Sequence, residues 1–275
     1  MDNIKYDKEL TIVIATHKKY RMPKDTCYLP VQVGALGKED LGYIRDDIGQ
    51  NISDKNSSFC ELTALYWAWK NIDSKYLGLS HYRRHFSLRK KSKDPFENIL
   101  SKKEALDILK NAEIIVPKRR NYIIESLESH YAHTHYISQL KETRKIIQEK
   151  YSEYIPDYDS VIDQKWGYMF NMMIADKKII SEYCEWLFDI LFELEKRVNN
   201  GLVPDSQNLS FFQGRFYGRV SEIIFNVWLH YQLRVGKISK VKEINCINME
   251  KINYRKKIIA FLSAKFLGKK YEGSF

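Results

Sequence analysis

The chain has 275 residues, 44% of them hydrophobic and 13% aromatic, with only 12 Gly and 6 Pro, so it is long enough for one large or two small domains, and collagen-like, low-complexity and disordered classes are excluded. Lys and Arg number 45 against 35 Asp and Glu, a net charge of +10 that invites nucleic-acid or membrane-surface partners. The charge is concentrated: the segment from Arg234 to Phe275 holds 11 basic and 3 acidic residues, while the preceding 233 residues carry a net of only +2.

The N-terminal segment Met1 to Glu9 is charged and offers no apolar signal-peptide core. Leu10 to Ala15, LTIVIA, is a continuous β-branched run of the kind that forms a strand buried on both faces. It ends in Thr16-His17-Lys18. A second strand is expected over Tyr28 to Val33, followed by a Gly- and Asp-containing loop from Gly42 to Asn56. A capping box, Ser58-x-x-Glu61, predicts a helix start, and Phe59, Leu62, Tyr66 and Trp69 recur on one helical face. Lys75 to Phe86, KYLGLSHYRRHF, reads as an apolar strand ending in a basic and aromatic cluster. Ala112 to Val116 is another strand, Leu127 to Lys150 is helical and Tyr168 to Ala175 is a strand. Lys177 to Val198 and Ser221 to Leu233 read as amphipathic helices.

Strands alternating with helices predict an α/β fold with a mainly parallel sheet flanked by helices. Residues 1–233 are expected to form one domain and 234–275 a basic, helical C-terminal extension. In such sheets ligands bind beyond the carboxyl ends of the strands. No run approaches the ~20 apolar residues of a membrane span. The four cysteines are far apart and form no CxxC pair, the usage of a cytosolic chain with reduced thiols.

Several constellations have the composition of a site. Asp46 and Asp47, with Asn51 and Asn56 close by, lie in a loop suited either to sugar hydroxyls or a divalent metal, or simply to a solvated turn. His81-Tyr82-Arg83-Arg84-His85 is the densest cluster, and guanidinium forks match phosphate oxygens. His130, His133 and His135 do not follow HExxH and show no Cys or acidic partner at ligand-like spacing, so no metal site is assigned to them. Asn171 is a lone amide in an apolar run and needs a hydrogen-bond partner, from the fold or from a ligand hydroxyl. Ser221-Glu222 follows a Gly near an expected helix start, where a carboxylate either complements the helix dipole or serves as a general base. No GxGxxG, Walker A, GxSxG or kinase signature occurs.

The blocks DDIGQNISDKNSSFCELTALYWAWKN, YLGLSHYRRHF, YMFNMMIADKKIISEYCEWLFDILFELE and GRVSEIIFNVWL resemble, in order, those of a bacterial capsular and exopolysaccharide glycosyltransferase family, long catalogued as a domain of unknown function and since assigned as galactofuranosyltransferases. The resemblance covers roughly Leu10 to Leu233. It implies a GT-A-like, Rossmann-like fold, a UDP-galactofuranose donor and a polyprenyl-diphosphate-linked glycan acceptor. It places Thr16 and His17 at the uracil and ribose, and the helix of Glu61, Tyr66 and Trp69 beneath the donor, with Asn51 and Asn56 also on the donor side. Asn171, Trp166 and His133 fall to the acceptor or transferred sugar. Where relatives of the fold carry a metal-binding DxD, this chain reads Ser80-His81-Tyr82-Arg83. Cations there would neutralise the departing diphosphate without a metal, so no cofactor beyond the UDP-sugar is expected, with Asp46 and Asp47 the residual metal candidates.

The implied reaction is inverting transfer to an acceptor hydroxyl. Arg83, Arg84 and His81 stabilise UDP, Glu222 acts as the base, and Asp46 or Asp47 is next in line. The alternatives are another donor such as UDP-galactopyranose or, in a different class, a nucleic-acid- or glycan-binding protein; the near-neutral body argues against nucleic acid. The tail alternates Ile252, Ile258, Ile259, Phe261, Leu262, Phe266 and Leu267 with Lys and Arg. That pattern predicts a helix lying on an anionic inner leaflet, and hence a cytoplasmic protein held peripherally at the inner face of the membrane.

Overall fold

The computed structural model describes residues 4–88, 92–250, 263 and 265. In chain order the elements are β1 (Leu10–Thr16), β2 (Tyr28–Gln32), β3 (Ile44–Arg45), α1 (Asn56–Phe59), α2 (Leu62–Asn71), β4 (Tyr76–His81), β5 (Arg84–Ser87) and α3 (Lys102–Leu109). Then come β6 (Ile114–Pro117), β7 (Arg120–Asn121), α4 (Leu127–Thr134), α5 (Ile137–Lys150), α6 (Ile155–Asp163), β8 (Trp166–Gly167) and β9 (Met173–Asp176). The last are α7 (Lys177–Asn199), α8 (Phe216–Arg234) and β10 (Val241–Asn248). Among the described residues no helix is long and apolar enough to cross a membrane. The chain divides into two compact units.

The first unit comprises Met1–Lys118, Phe170–Cys184 and Ile238–Glu250. Its eight-stranded sheet has the order β3-β2-β1-β4-β5-β10-β6-β9, with β9 also pairing β4. The fold is α/β as expected, but the sheet is mixed. β1 pairs β2 and β4 in parallel, β2 pairs β3 and β10 pairs β6 likewise. The pairings of β4 with β5 and β9, of β5 with β10 and of β6 with β9 are antiparallel. β1 is buried over its whole length, as its β-branched run requires. Gly78 in β4 admits β9: a Cβ there would stand 2.8 Å from Ile174 Cγ1 and 2.9 Å from the Met173 carbonyl. Helix α2 packs on β1 and β4, and α3 on β6. Lys177 Nζ donates to the Trp69 and Ile72 carbonyls at 2.6 and 2.8 Å, satisfying acceptors at the end of α2 with a cation where the helix dipole favours one.

The second unit comprises Arg119–Met169, Glu185–Lys237 and Lys251–Phe275. Helices α4, α5, α6 and α8 pack together, beside a two-stranded ribbon of β7 and β8. Asp157, buried in α6, takes His230 at 2.7 Å and Arg234 at 2.7 Å, both from α8.

Three expectations change. Val241–Asn248, which the sequence put in a helical extension, is a strand between β5 and β6. The expected tail helix beyond Glu250 lies outside the described residues except for Ser263 and Lys265. The Ser58 capping box does not form: Ser58 Oγ donates to the Lys55 carbonyl at 3.2 Å, and α2 starts after Glu61 with no side-chain cap. The strand expected from Tyr168 starts only at Met173, because Phe170 and Asn171 take left-handed backbone angles (φ 78° and 53°).

Candidate functional site

In the first unit, the HYRR block is a tight hairpin. His81 ends β4 and pairs with Arg84, which opens β5, so Tyr82 and Arg83 form the turn. The hairpin projects beyond the carboxyl ends of β1 and β4, and the segment after β1 folds against it. Tyr82 is buried, with the His17 ring edge-on at 5.2 Å and Tyr20 at 5.1 Å. Lys18 Nζ lies 5.0 Å from the Tyr82 ring centroid. Lys18 and Arg83 share the Glu250 carboxylate at 3.2 and 3.6 Å. That hydrogen bond to Glu250 raises the Lys18 pKa, so Lys18 stays charged at neutral pH. Thr16 is buried at the end of β1 and closes the turn by donating to the Lys18 carbonyl at 2.7 Å.

A second cluster lies behind the hairpin. His81 Nε2 meets the Phe170 carbonyl at 2.7 Å, and the Arg84 guanidinium lies 4.6 Å from the Phe170 ring centroid. Asn171 Nδ2 donates to Glu61 Oε1 at 2.9 Å. The left-handed pair Phe170-Asn171 is what turns both the carbonyl and the amide toward these partners. Burial pushes the His81 pKa below its ordinary value, against the pull of the Glu61 carboxylate and with the repulsion of Arg84 and Arg83. His81 is therefore neutral at pH 7, with its proton on Nε2 because a carbonyl only accepts. In this state it adds no positive charge to the cluster.

The acidic loop serves the fold. Asp46 is fully buried and accepts from the Gly34 and Ala35 amides at 2.8 and 2.9 Å and from Ser53 Oγ at 2.5 Å. Asp47 forms a two-pronged pair with Arg45, at 3.1 and 2.6 Å. In this arrangement the oxygens of both carboxylates anchor donors of the chain itself. Asn51 bridges the Gly49 carbonyl and the Ser53 amide. Asn56 donates to the Cys60 carbonyl at 2.7 Å and presses against Gly34, whose φ of +57° and missing Cβ make room for it. Tyr66 lies edge-on to Trp69, which carries Lys70 Nζ at 3.4 Å. Asn51 and Asn56 are thus held by the loop itself. The structure gathers Glu61, His81, Arg84 and Asn171 in one cluster, and Thr16, His17, Tyr82 and Arg83 in its neighbour.

Trp166, His133 and Glu222 belong to the second unit. The Arg119 guanidinium lies 4.6 Å from the Trp166 ring centroid. Helix α8 starts at Phe216, five residues before the expected Ser221, because Phe216, Tyr217 and Val220 are buried and extend its apolar face. Glu222 therefore sits in the second turn rather than at the start, 5% exposed and paired with Arg219 at 3.3 Å. Dipole stabilisation at a helix N-terminus no longer accounts for it. The histidines do have an acidic partner: Glu125, 2% exposed, takes His133 Nδ1 on one oxygen at 2.6 Å and His130 Nδ1 on the other at 2.9 Å. Burial outweighs that partner and pushes His130 down to about 4. His135 is buried on Gln213 at 2.9 Å.

Lys18, Tyr20, Phe170 (the partner of His81 and Arg84), Glu125 and Glu250 carry no spacing signal in the sequence; only the folded chain brings them in. Among the described residues, no group of three or more His, Cys, Asp or Glu is placed to hold a metal ion.

The fold has a solved counterpart. The chain superposes on the structure of the WbbM bifunctional glycosyltransferase in its apo form with a TM-score of 0.80 and 28% identity, covering 88% of this chain and 46% of that one. It thus spans about half the length of the protein it matches. No curated protein sequence matches the chain. Residues 11–233 match the profile of DUF4422, described as a domain of unknown function, and the chain belongs to that family.

Proposed function

We propose that the chain is a glycosyltransferase that uses a nucleoside-diphosphate sugar and binds it at the hairpin of the first unit. The observation that carries this is the gathering of Lys18 and Arg83 with Tyr82 and His17 at the carboxyl ends of β1 and β4, with Arg84 following in the same hairpin on the Phe170 ring. Aromatic rings suit a base, and guanidinium and ammonium groups suit a diphosphate. The likeness to a bifunctional glycosyltransferase supports the same reading. In it, Arg83, Arg84 and Lys18 stabilise the charge that develops on the leaving diphosphate, a task metal ions perform in other sites. Transfer is accordingly metal-independent. Glu61 and Asn171, hydrogen-bonded to each other, are placed to exchange partners with sugar hydroxyls.

The proposed chemistry is inverting. An acceptor hydroxyl attacks the anomeric carbon, the bond from that carbon to the diphosphate oxygen breaks, and the hydroxyl proton passes to a base. The proposed donor is UDP-galactofuranose within a GT-A-like fold, and the proposed acceptor is a glycan on polyprenyl diphosphate at the inner face of the membrane. The test is incubation with a panel of UDP-sugars, the furanose and pyranose forms of galactose included, and a synthetic lipid-linked acceptor. Products are read by mass spectrometry and NMR. Transfer from UDP-galactofuranose alone supports the full reading, transfer from another UDP-sugar keeps the class and corrects the donor, and no turnover of any UDP-sugar overturns it.

A further inference from the structure

The second unit carries an apolar tip that nothing in the proposed chemistry uses. The sequence Lys118-Arg119-Arg120-Asn121-Tyr122-Ile123-Ile124 holds three basic residues and no acidic one. Just after β7, the Ile124 amide donates to the Tyr122 carbonyl at 2.7 Å, which closes a three-residue γ-turn around Ile123. Ile123 stands at φ +62°, left-handed backbone that a β-branched residue rarely adopts. Its side chain is nevertheless turned outward: Ile123 is 78% exposed and Ile124 53%. A strained turn that displays two adjacent branched aliphatics does not follow from packing, since neither side chain is buried. Glycine or asparagine at position 123 would form the same turn with less strain.

Cations surround the tip. Arg119 and Arg120 lie over the Trp166 and Tyr122 rings at 4.6 and 4.9 Å, which fixes them at its base. Lys265, from the basic C-terminal segment, donates to the Ile124 carbonyl at 3.4 Å. Apolar residues at an apex with Arg and Lys around them match the layering of an anionic bilayer, with acyl chains below lipid phosphates. We propose that the turn around Ile123 is a membrane-docking tip. Ile123 and Ile124 enter the boundary between headgroups and acyl chains, while Arg119, Arg120 and Lys265 pair with lipid phosphates. The proposal does not rest on glycosyl transfer.

The experiment is co-sedimentation of the full chain with vesicles of phosphatidylglycerol and phosphatidylethanolamine, against vesicles of phosphatidylcholine alone. The chain is expected to bind the anionic vesicles and leave the neutral ones. Ile123→Gly separates docking from folding, because glycine accepts the left-handed angle: thermal stability should hold or rise. Combined with Ile124→Ser, it should weaken vesicle partitioning at least tenfold. Ile124→Trp should add an emission that blue-shifts on anionic vesicles only. Unchanged partitioning of the double variant, a lower melting temperature for Ile123→Gly, or equal binding to neutral vesicles would each overturn the proposal. So would a full chain that ignores vesicles and uses this surface to associate with protein. Donor hydrolysis in detergent-free buffer is the parallel readout, and its loss or retention bears on the catalytic reading alone.

Discussion

His85 offers a test of how far burial governs the first unit. It lies in β5, fully buried, with Tyr28 edge-on at 5.8 Å; among the described residues neither ring nitrogen makes a hydrogen bond of ordinary geometry, and the Tyr82 backbone exerts only a weaker pull toward the charged form. Burial pushes its pKa from 6.5 down to about 4. In the unfolded chain the imidazole returns to about 6.5. Between those values the unfolded state takes the proton first, so stability is intact above pH 6.5 and falls as pH drops toward 4. A displacement of ~2.5 units corresponds to ~3 kcal/mol in full, of which ~2 kcal/mol is already lost at pH 5. Replacing His85 with Leu removes this loss and also the unpaired ring nitrogens, whose burial costs ~1–3 kcal/mol. Urea unfolding at pH 7.5 and pH 5.0 measures both effects. His85→Leu should be more stable at pH 7.5, and its loss on going to pH 5.0 should be ~2 kcal/mol smaller than that of the parent chain. Equal losses for the two chains would refute the reasoning, as would a parent His85 imidazole resonance that titrates near pH 6.5.

Arg84→Ala should lower transfer by about a hundredfold or more through kcat, because a cation on the leaving group acts mainly in the transition state; steady-state kinetics with saturating donor checks it. Asp46→Ala should cost about 2–4 kcal/mol in urea unfolding, since it strands the two buried amides of Gly34 and Ala35; a folded variant with selective loss of turnover would return Asp46 to the chemistry. Gly34→Ala should destabilise by about 1–3 kcal/mol in thermal melts, from its φ of +57° and a Cβ placed 2.5 Å from Asn56 Oδ1. Glu222→Gln should lower turnover by 10²–10⁴-fold with an unchanged fold by circular dichroism if it is the base; near-normal turnover rejects that role.

The sequence was most informative where one physical demand dominates. LTIVIA is buried on both faces, and its composition says so. KYLGLSHYRRHF also announces a strand with cations at its end. What the pattern hides is the hairpin: Tyr82 and Arg83 are not turn formers by composition, and only pairing of His81 with Arg84 reverses the chain there. Asn171 showed that it needed a partner but not that the partner is Glu61, 110 residues away. Nor did a run of apolar residues betray the left-handed angles at Phe170 and Asn171 that aim it. The histidines of α4 looked unpartnered because Glu125 precedes them by five and eight residues, outside any ligand motif. Val241–Asn248 is only partly buried, with Ile244 and Ile247 alone buried, so it shows no strand alternation and read as part of the basic segment around it.

That last strand has a consequence for how the chain is made and cut. β10 pairs with β5 on one side and β6 on the other, so one edge of each of these strands, both made by Pro117, is covered by residues 241–248. During synthesis the first unit waits, with two unpaired edges, for a piece that arrives after the whole of α8. A fragment ending at Leu233, where the family match stops, would carry those edges permanently. Exposed edges of this kind template intermolecular pairing, so such a fragment should aggregate while one ending at Glu250 should not. A cut that keeps the sheet of the first unit whole lies no earlier than Glu250, seventeen residues beyond the edge of the family match.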